Sequence, residues 1–227
     1  MKKFFVTGTD TGVGKTTASC ALLAAASAKG LRTMAVKPVA AGCAETPEGL
    51  RNDDALALMA VMTEVMTYEE VNPVALKEPL SPHLAALHVG RRLSVAQVGG
   101  FVRGALARRA DFAVVEGAGG WRVPLSDREI ISDLPRALGL PVILVVGLRL
   151  GCLNHAILTT EAMARDGVRM AGWIGSVLDP DMAGLEGNIG TLKTILPMPC
   201  LGVLPWQPDA TPEQMAVHLD LHELLGE

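Results

Sequence analysis

Residues 8–16 read Gly8-Thr9-Asp10-Thr11-Gly12-Val13-Gly14-Lys15-Thr16, after the apolar run Phe4-Phe5-Val6 and before an alanine-rich stretch over 17–29. A strand that feeds a glycine-rich loop ending in Gly-Lys-Thr, with a helix opening behind it, cradles phosphate. Loop amides and the positive end of the helix dipole face the anion, Lys15 adds a full charge, and the Thr16 hydroxyl can reach a magnesium ion. The chemistry implied is the handling of a nucleoside triphosphate. The usual spacing Gly-x-x-x-x-Gly-Lys-Ser/Thr asks for glycine at position 9, where this chain has Thr9 and carries Gly8 instead. The offset marks a subfamily of the P-loop.

Three further positions carry groups suited to that anion. The run Ala113-Val114-Val115 stops at Glu116, followed by Gly117-Ala118-Gly119-Gly120, as expected of an acid that reaches a metal on bound phosphates. Asp53-Asp54 opens a helical stretch as cap and first-turn acid. One of the two, with Thr16 and Glu116, would give magnesium a hydroxyl and two carboxylates, and spacing leaves open which aspartate turns inward. Lys37 ends the run Thr33-Met34-Ala35-Val36 and is held extended by Pro38, which aims its ammonium at the phosphate loop. Two lysines converge on one pocket only when the ligand is strongly anionic, a transferring phosphoryl group or a carboxylate.

The elements that must position these groups alternate. Apolar runs predict strands near 3–8, 33–37, 112–116, 142–147, 170–176 and 200–204, and helical patterns fall near 15–29, 53–65, 94–109, 130–138, 154–166 and 186–195. This is an α/β pattern, a mostly parallel sheet with helices on both faces in a single P-loop NTPase domain over 1–227. In such sheets ligands bind at the carboxyl ends of the strands, where Gly8, Lys37, Glu116 and Gly147 would lie. The methionines between Met59 and Met66 read as helix core. Trp121 either walls the pocket or covers the sheet edge.

Composition narrows the partners. A net charge of -4 without a Lys/Arg stripe excludes nucleic acid. The longest apolar run, 142–148, is far too short for a membrane span, and Met1-Lys2-Lys3 leads into strand residues rather than a signal sequence, so a cytoplasmic enzyme is expected. Cys20, Cys43, Cys152 and Cys200 show neither metal-ligand nor disulfide spacing and read as idle thiols. His83, beside proline, and His155, in a helix, read as packing or hydrogen-bonding residues.

The combined motifs resemble the dethiobiotin synthetase family. They are Gly8-Thr9-Asp10-Thr11 with Val13-Gly14-Lys15-Thr16, Lys37-Pro38-Val39, Arg51-Asn52 with Asp54-Ala55-Leu56, Ser81-Pro82-His83, Val115-Glu116-Gly117-Ala118-Gly119-Gly120, Gly151-Cys152 with Asn154-His155, and Pro205-Trp206. The offset first glycine belongs to that family's loop. The resemblance implies carboxylation and ring closure of 7,8-diaminononanoate (diaminopelargonate) with CO2 and MgATP, through a carbamate and a carbamic–phosphoric anhydride. It implies that Gly12, Val13, Gly14, Lys15, Thr16 and Thr17 hold ATP, that Thr16, Asp54 and Glu116 hold Mg2+, and that Lys37, Lys15 and Thr11 act on the reacting groups. The diamine would lie along Thr11, Lys37, Ala41, Gly117, Ala118 and Gly119. Its distant carboxylate would meet the helix N-terminus at Gly151, Cys152, Leu153 and Asn154 of a second subunit, so a homodimer with shared sites is implied.

Three departures from the family pattern bear on binding. Gly12 and Ala41 replace an acidic residue and a serine found in many relatives. After Ala171-Gly172-Trp173-Ile174-Gly175 comes Ser176-Val177, where relatives often place an Asn-Asp pair that reads adenine. Ser176, Pro205, Trp206, Gln207 and Glu213 are left to contact the base, and weakened preference for ATP is expected. The rival reading is a partitioning or switch-type P-loop ATPase acting on a protein partner. It calls for an extra lysine in the phosphate loop, and 8–14 holds none.

Overall fold

The computed structural model describes residues 1–226. Among them the chain order is β1 (Lys2–Gly8), α1 (Lys15–Ala28), β2 (Thr33–Val36), β3 (Val39–Ala41), β4 (Ala44–Thr46), β5 (Gly49–Arg51), α2 (Asp53–Val61), α3 (Tyr68–Val71), β6 (Val74–Leu76), α4 (Pro82–His88) and α5 (Val95–Ala105). It continues with β7 (Phe112–Gly120), α6 (Asp133–Leu138), β8 (Val142–Leu148), α7 (Cys152–Arg165), β9 (Met170–Val177), α8 (Leu185–Ile195), β10 (Cys200–Leu204), α9 (Pro212–Ala216) and α10 (His222–Leu225). The main sheet has the order β10-β9-β8-β1-β7-β2 with every neighbouring pair parallel. Its six strands are the six expected from the apolar runs. β3 pairs with β6, and β4 with β5, in two small satellite sheets.

Side chains alternate across a strand, so each apolar run feeds two cores. Phe4, Val6, Val114, Ile143 and Val145 pack on one face against α1, α9 and α10. Phe5, Val115, Val142, Leu144 and Val146 pack on the other, under α3 to α8. In α1, Ala18, Ala21, Leu22 and Leu23 are all fully buried. Alanine gives that helix its propensity and lets it lie close to the sheet.

Two boundaries of elements near the phosphate loop differ from expectation, and one side chain finds its place. The helix expected over 53–65 stops at Val61, and Met62 is extended. Thr63 and Glu64 instead donate their backbone N–H groups to Thr33 O at 3.1 and 3.0 Å, covering the free edge of β2. Met59, Met62 and Met66 still pack on the core. β7 does not end at Glu116 but runs on through Gly120, with a register shift against β1 between Val6 and Gly8. Trp121 is buried and its indole donates to Asp166 Oδ2 at 2.8 Å, at the end of α7, and it does not line the cleft beside the phosphate loop.

Candidate active site

β1 delivers the phosphate loop between its two neighbours β7 and β8, the point where the strand order reverses. The chain needs glycine at 8 because a Cβ there would lie 2.5 Å from Val13 Cγ2. Val13 is a buried core residue, and its side chain pins the loop onto the strand ends. Gly14 closes the loop at φ +85°, and a Cβ on it would meet Ser176 Oγ at 2.5 Å. Lys15 folds back and donates to Asp10 O at 3.0 Å, while the Asp10 carboxylate accepts from Thr11 N at 2.7 Å and pairs with Arg149 at 2.9 Å.

Beside the loop, β2, β7 and the first turn of α2 bring three charges together. Lys37 Nζ donates to Glu116 Oε1 at 2.7 Å, Asp54 Oδ2 at 2.8 Å and Gly117 O at 3.3 Å. Thr16 Oγ1 donates to the same Glu116 oxygen at 2.9 Å. Lys37 and Glu116 side chains are 5% and 0% exposed, so this is a buried ion pair, of the kind whose rupture costs about 3–5 kcal/mol. The capping residue of α2 is Asn52, accepting from Ala55 N, rather than either aspartate; Asp53 is exposed and Asp54 is the one turned inward.

The charges shape one another. Burial, reinforced by the Lys37 ammonium, pulls Lys15 down to about 8 against the pull of Glu116 and Asp54. Burial acts the same way on Lys37, but Glu116 and Asp54 outweigh it and hold the ammonium above its ordinary value. Burial would raise Asp54, and the Lys37 charge more than offsets this, leaving the carboxyl below its usual range. Lys37 and Asp54 therefore hold each other in charged form.

A cleft of about 630 Å³ opens above this cluster. Of the sequence-predicted residues, Thr11, Gly12, Gly14, Lys15, Thr16, Thr17, Lys37, Ala41, Asp54, Ala118 and Gly119 line it. Glu116, Val13 and Gly117 lie beneath rather than on its surface, and Gly117 is small because a Cβ would sit 2.9 Å from the Phe5 ring. Ser176 is buried under Gly14, beside the loop that follows β10, where Pro205 is half-buried and Trp206 and Gln207 are exposed. Glu213 stands exposed in the first turn of α9, its carboxyl held low chiefly by the Thr211 hydroxyl. Gly151, Cys152, Leu153 and Asn154 do not line the cleft. They form the start of α7, capped by Gly151 at φ +95° with no side-chain acceptor and no acid in the first turn. His83 bonds Ser81 at the start of α4 and faces a separate cavity, and His155 is exposed on α7.

Asn52, Ser81 and Pro82, which the sequence offered only as motif residues without a site role, also line the cleft, as do Ala40, Pro79, Leu80 and Val123, which sequence reasoning did not single out. Asn52 was legible as a helix cap one residue before an acidic pair; Val123 carries no local signal.

Comparison with known proteins follows the same lines. The AAA domain family matches residues 2–214. Among solved structures, the MinC:MinD cell division protein complex of Aquifex aeolicus aligns with a TM-score of 0.58 at 12% identity, covering 97% of this chain and 88% of that one. Chloroplast FtsY from Physcomitrella patens gives 0.53 at 17% identity, covering 99% of this chain and 64% of that chain. These likenesses establish the P-loop NTPase fold alone, and they lend no weight to the switch-ATPase reading. Relatives described as ATP-dependent dethiobiotin synthetase BioD are far nearer: 55% identity in Pseudomonas paraeruginosa and 54% in Cellvibrio japonicus, each covering 99% of this chain and 98% of the relative. With more than half of its residues shared along almost its whole length, the chain belongs to the ATP-dependent dethiobiotin synthetases, ligases that form a carbon–nitrogen bond in biotin biosynthesis.

Proposed function

We propose that the cleft over the phosphate loop converts 7,8-diaminononanoate, CO2 and MgATP to dethiobiotin, ADP and phosphate, in one cytoplasmic synthetase domain that works as a homodimer. One amine adds to CO2 and loses a proton, giving a carbamate. A carbamate oxygen attacks the γ-phosphorus and ADP departs, leaving a carbamic–phosphoric anhydride. The second amine attacks the anhydride carbonyl, and phosphate leaves as the ureido ring closes. Each step gathers negative charge at one place, and the observation that carries the reading is the buried Lys37 ammonium opening into the same cleft as Lys15.

Lys15, with the amides of Gly12, Val13, Gly14, Thr16 and Thr17, holds the phosphates. Lys37 stabilises carbamate and phosphoryl oxygens together, and Thr11 orients the reacting amine. Ala41, Ala118 and Gly119 flank the diamine, with Gly117 supporting them from below. Thr16, Asp54 and Glu116 fit a magnesium ion, because Glu116 Oε2 is a buried carboxylate oxygen with no hydrogen-bond partner among the described residues. Magnesium supplies charge neutralisation at the phosphates. The bare start of α7 suits the carboxylate of a diamine bound to the partner subunit. Ser176, Pro205, Trp206, Gln207 and Glu213 surround the base.

The test is incubation with magnesium, bicarbonate and ATP, with and without diaminononanoate, following ADP and the product mass. Diamine-dependent ADP release with dethiobiotin is expected. Slow hydrolysis indifferent to the diamine, with no product, overturns the reading.

A further inference from the structure

Lys37 and Asp54 meet at 2.8 Å, yet they come from separate elements: Lys37 follows β2, and Asp54 sits in the first turn of α2. Two buried side chains, Tyr68 and Asn72, join the backbones of those elements. Asn52 N, at the start of α2, donates to Tyr68 Oη at 2.7 Å. Tyr68 Oη donates to Asn72 Oδ1 at 2.9 Å, and Asn72 Nδ2 donates to Lys37 O at 2.6 Å. The grip on Lys37 is two-sided, since Lys37 N donates to Val71 O at 2.8 Å. Asn52, Tyr68 and Asn72 are 9%, 7% and 3% exposed, and the Arg51 guanidinium closes over the Tyr68 ring at 4.1 Å from its centroid. Neither Tyr68 nor Asn72 lines the cleft.

We infer that Tyr68 is a positioning residue for the reaction, its hydroxyl fixing the spacing between the Lys37 ammonium and the Asp54 carboxylate by bridging Asn52 to Asn72. The inference rests on the roles given above to Lys37 and Asp54. A phenol serves here because one oxygen must accept from a backbone N–H and donate to an amide oxygen at once. Phenylalanine keeps the ring under Arg51 and breaks the bridge, leaving Asn52 N–H and Asn72 Oδ1 unpartnered. The start of α2 is then free to shift against β2. Displacements of that scale slow a positioned reaction without altering how the phosphate loop holds nucleotide.

Tyr68→Phe is expected to lower kcat about tenfold with KM for ATP changed less than about twofold. Because Tyr68 acts through Asp54, adding Tyr68→Phe to Asp54→Asn is expected to lower kcat by less than about twofold more. Calorimetric binding of ATP to Tyr68→Phe should match the unaltered protein. A fall in kcat under about threefold, or the full fall repeated in the Asp54→Asn background, overturns the inference. If Tyr68→Phe does not fold, Asn72→Ala is judged by the same criteria, and failure of both to fold assigns the bridge to stability alone and also overturns it. Should Lys37→Ala and Asp54→Asn retain full turnover, the site reading fails instead.

Discussion

Lys37 was legible in the sequence as a strand-end lysine aimed at the phosphate loop, because Pro38 restricts its backbone. Its partners were not, since Glu116 lies 79 residues away and Asp54 17. Lys37→Ala is expected to lower kcat roughly a thousandfold, about 4 kcal/mol of transition-state stabilisation, while ATP still binds, as measured by steady-state kinetics beside calorimetry. It should also lower the melting temperature, because Glu116 would be left as an uncompensated buried charge. At the proposed base site, the buried Ser176 side chain lies against Gly14, and a lone hydroxyl cannot supply the paired contacts that read a purine amino group. CTP and GTP should support turnover within roughly tenfold of ATP in kcat/KM, and strict ATP use in the same assay would refute this.

At the scale of elements, the six main strands and the helices behind them follow from the apolar periods, because the inner strands are buried on both faces over most of their length. The short pieces between residues 39 and 88 were not foreseen: β3 to β6, α3 and α4 are stabilised by tertiary contact and caps rather than by long periods. The Thr67 capping box that starts α3 is one such device, and it places Tyr68. The last elements depend on one glycine. A Cβ at Gly202 would lie 2.0 Å from His218 O, at φ +151°, where β10 bridges to Leu219. Gly202→Ala is expected to cost about 2–4 kcal/mol and lower the melting temperature by roughly 5–10 °C in calorimetry. Gly190→Ala, on the exposed side of α8 with open space around it, should instead raise stability by about 0.5–1 kcal/mol.

For the whole molecule, the cleft of one chain is lined by most of the residues proposed for phosphate, magnesium and diamine, with Glu116, Val13 and Gly117 beneath it, but not by the start of α7. The proposed homodimer answers that gap, and mixing variants tests it. Lys37→Ala removes the cleft's lysine, and Asn154→Glu sets a negative charge at the α7 terminus. Co-refolded in equal amounts, the two should recover roughly a quarter of normal activity, since half of the dimers are mixed and each has one intact site of two. No recovery would refute shared sites. Among the described residues no helix is long and apolar enough to cross a membrane. The sequence alone determined the phosphate loop, the sheet that carries it and the family resemblance, because these rest on local spacing and on periods a few residues long. Only the tertiary structure decided that Glu116 is fully buried, that Asp54 rather than Asp53 turns inward, and that Tyr68 ties Lys37 to α2. Those outcomes depend on which distant backbones meet in the folded chain, and no local pattern records that.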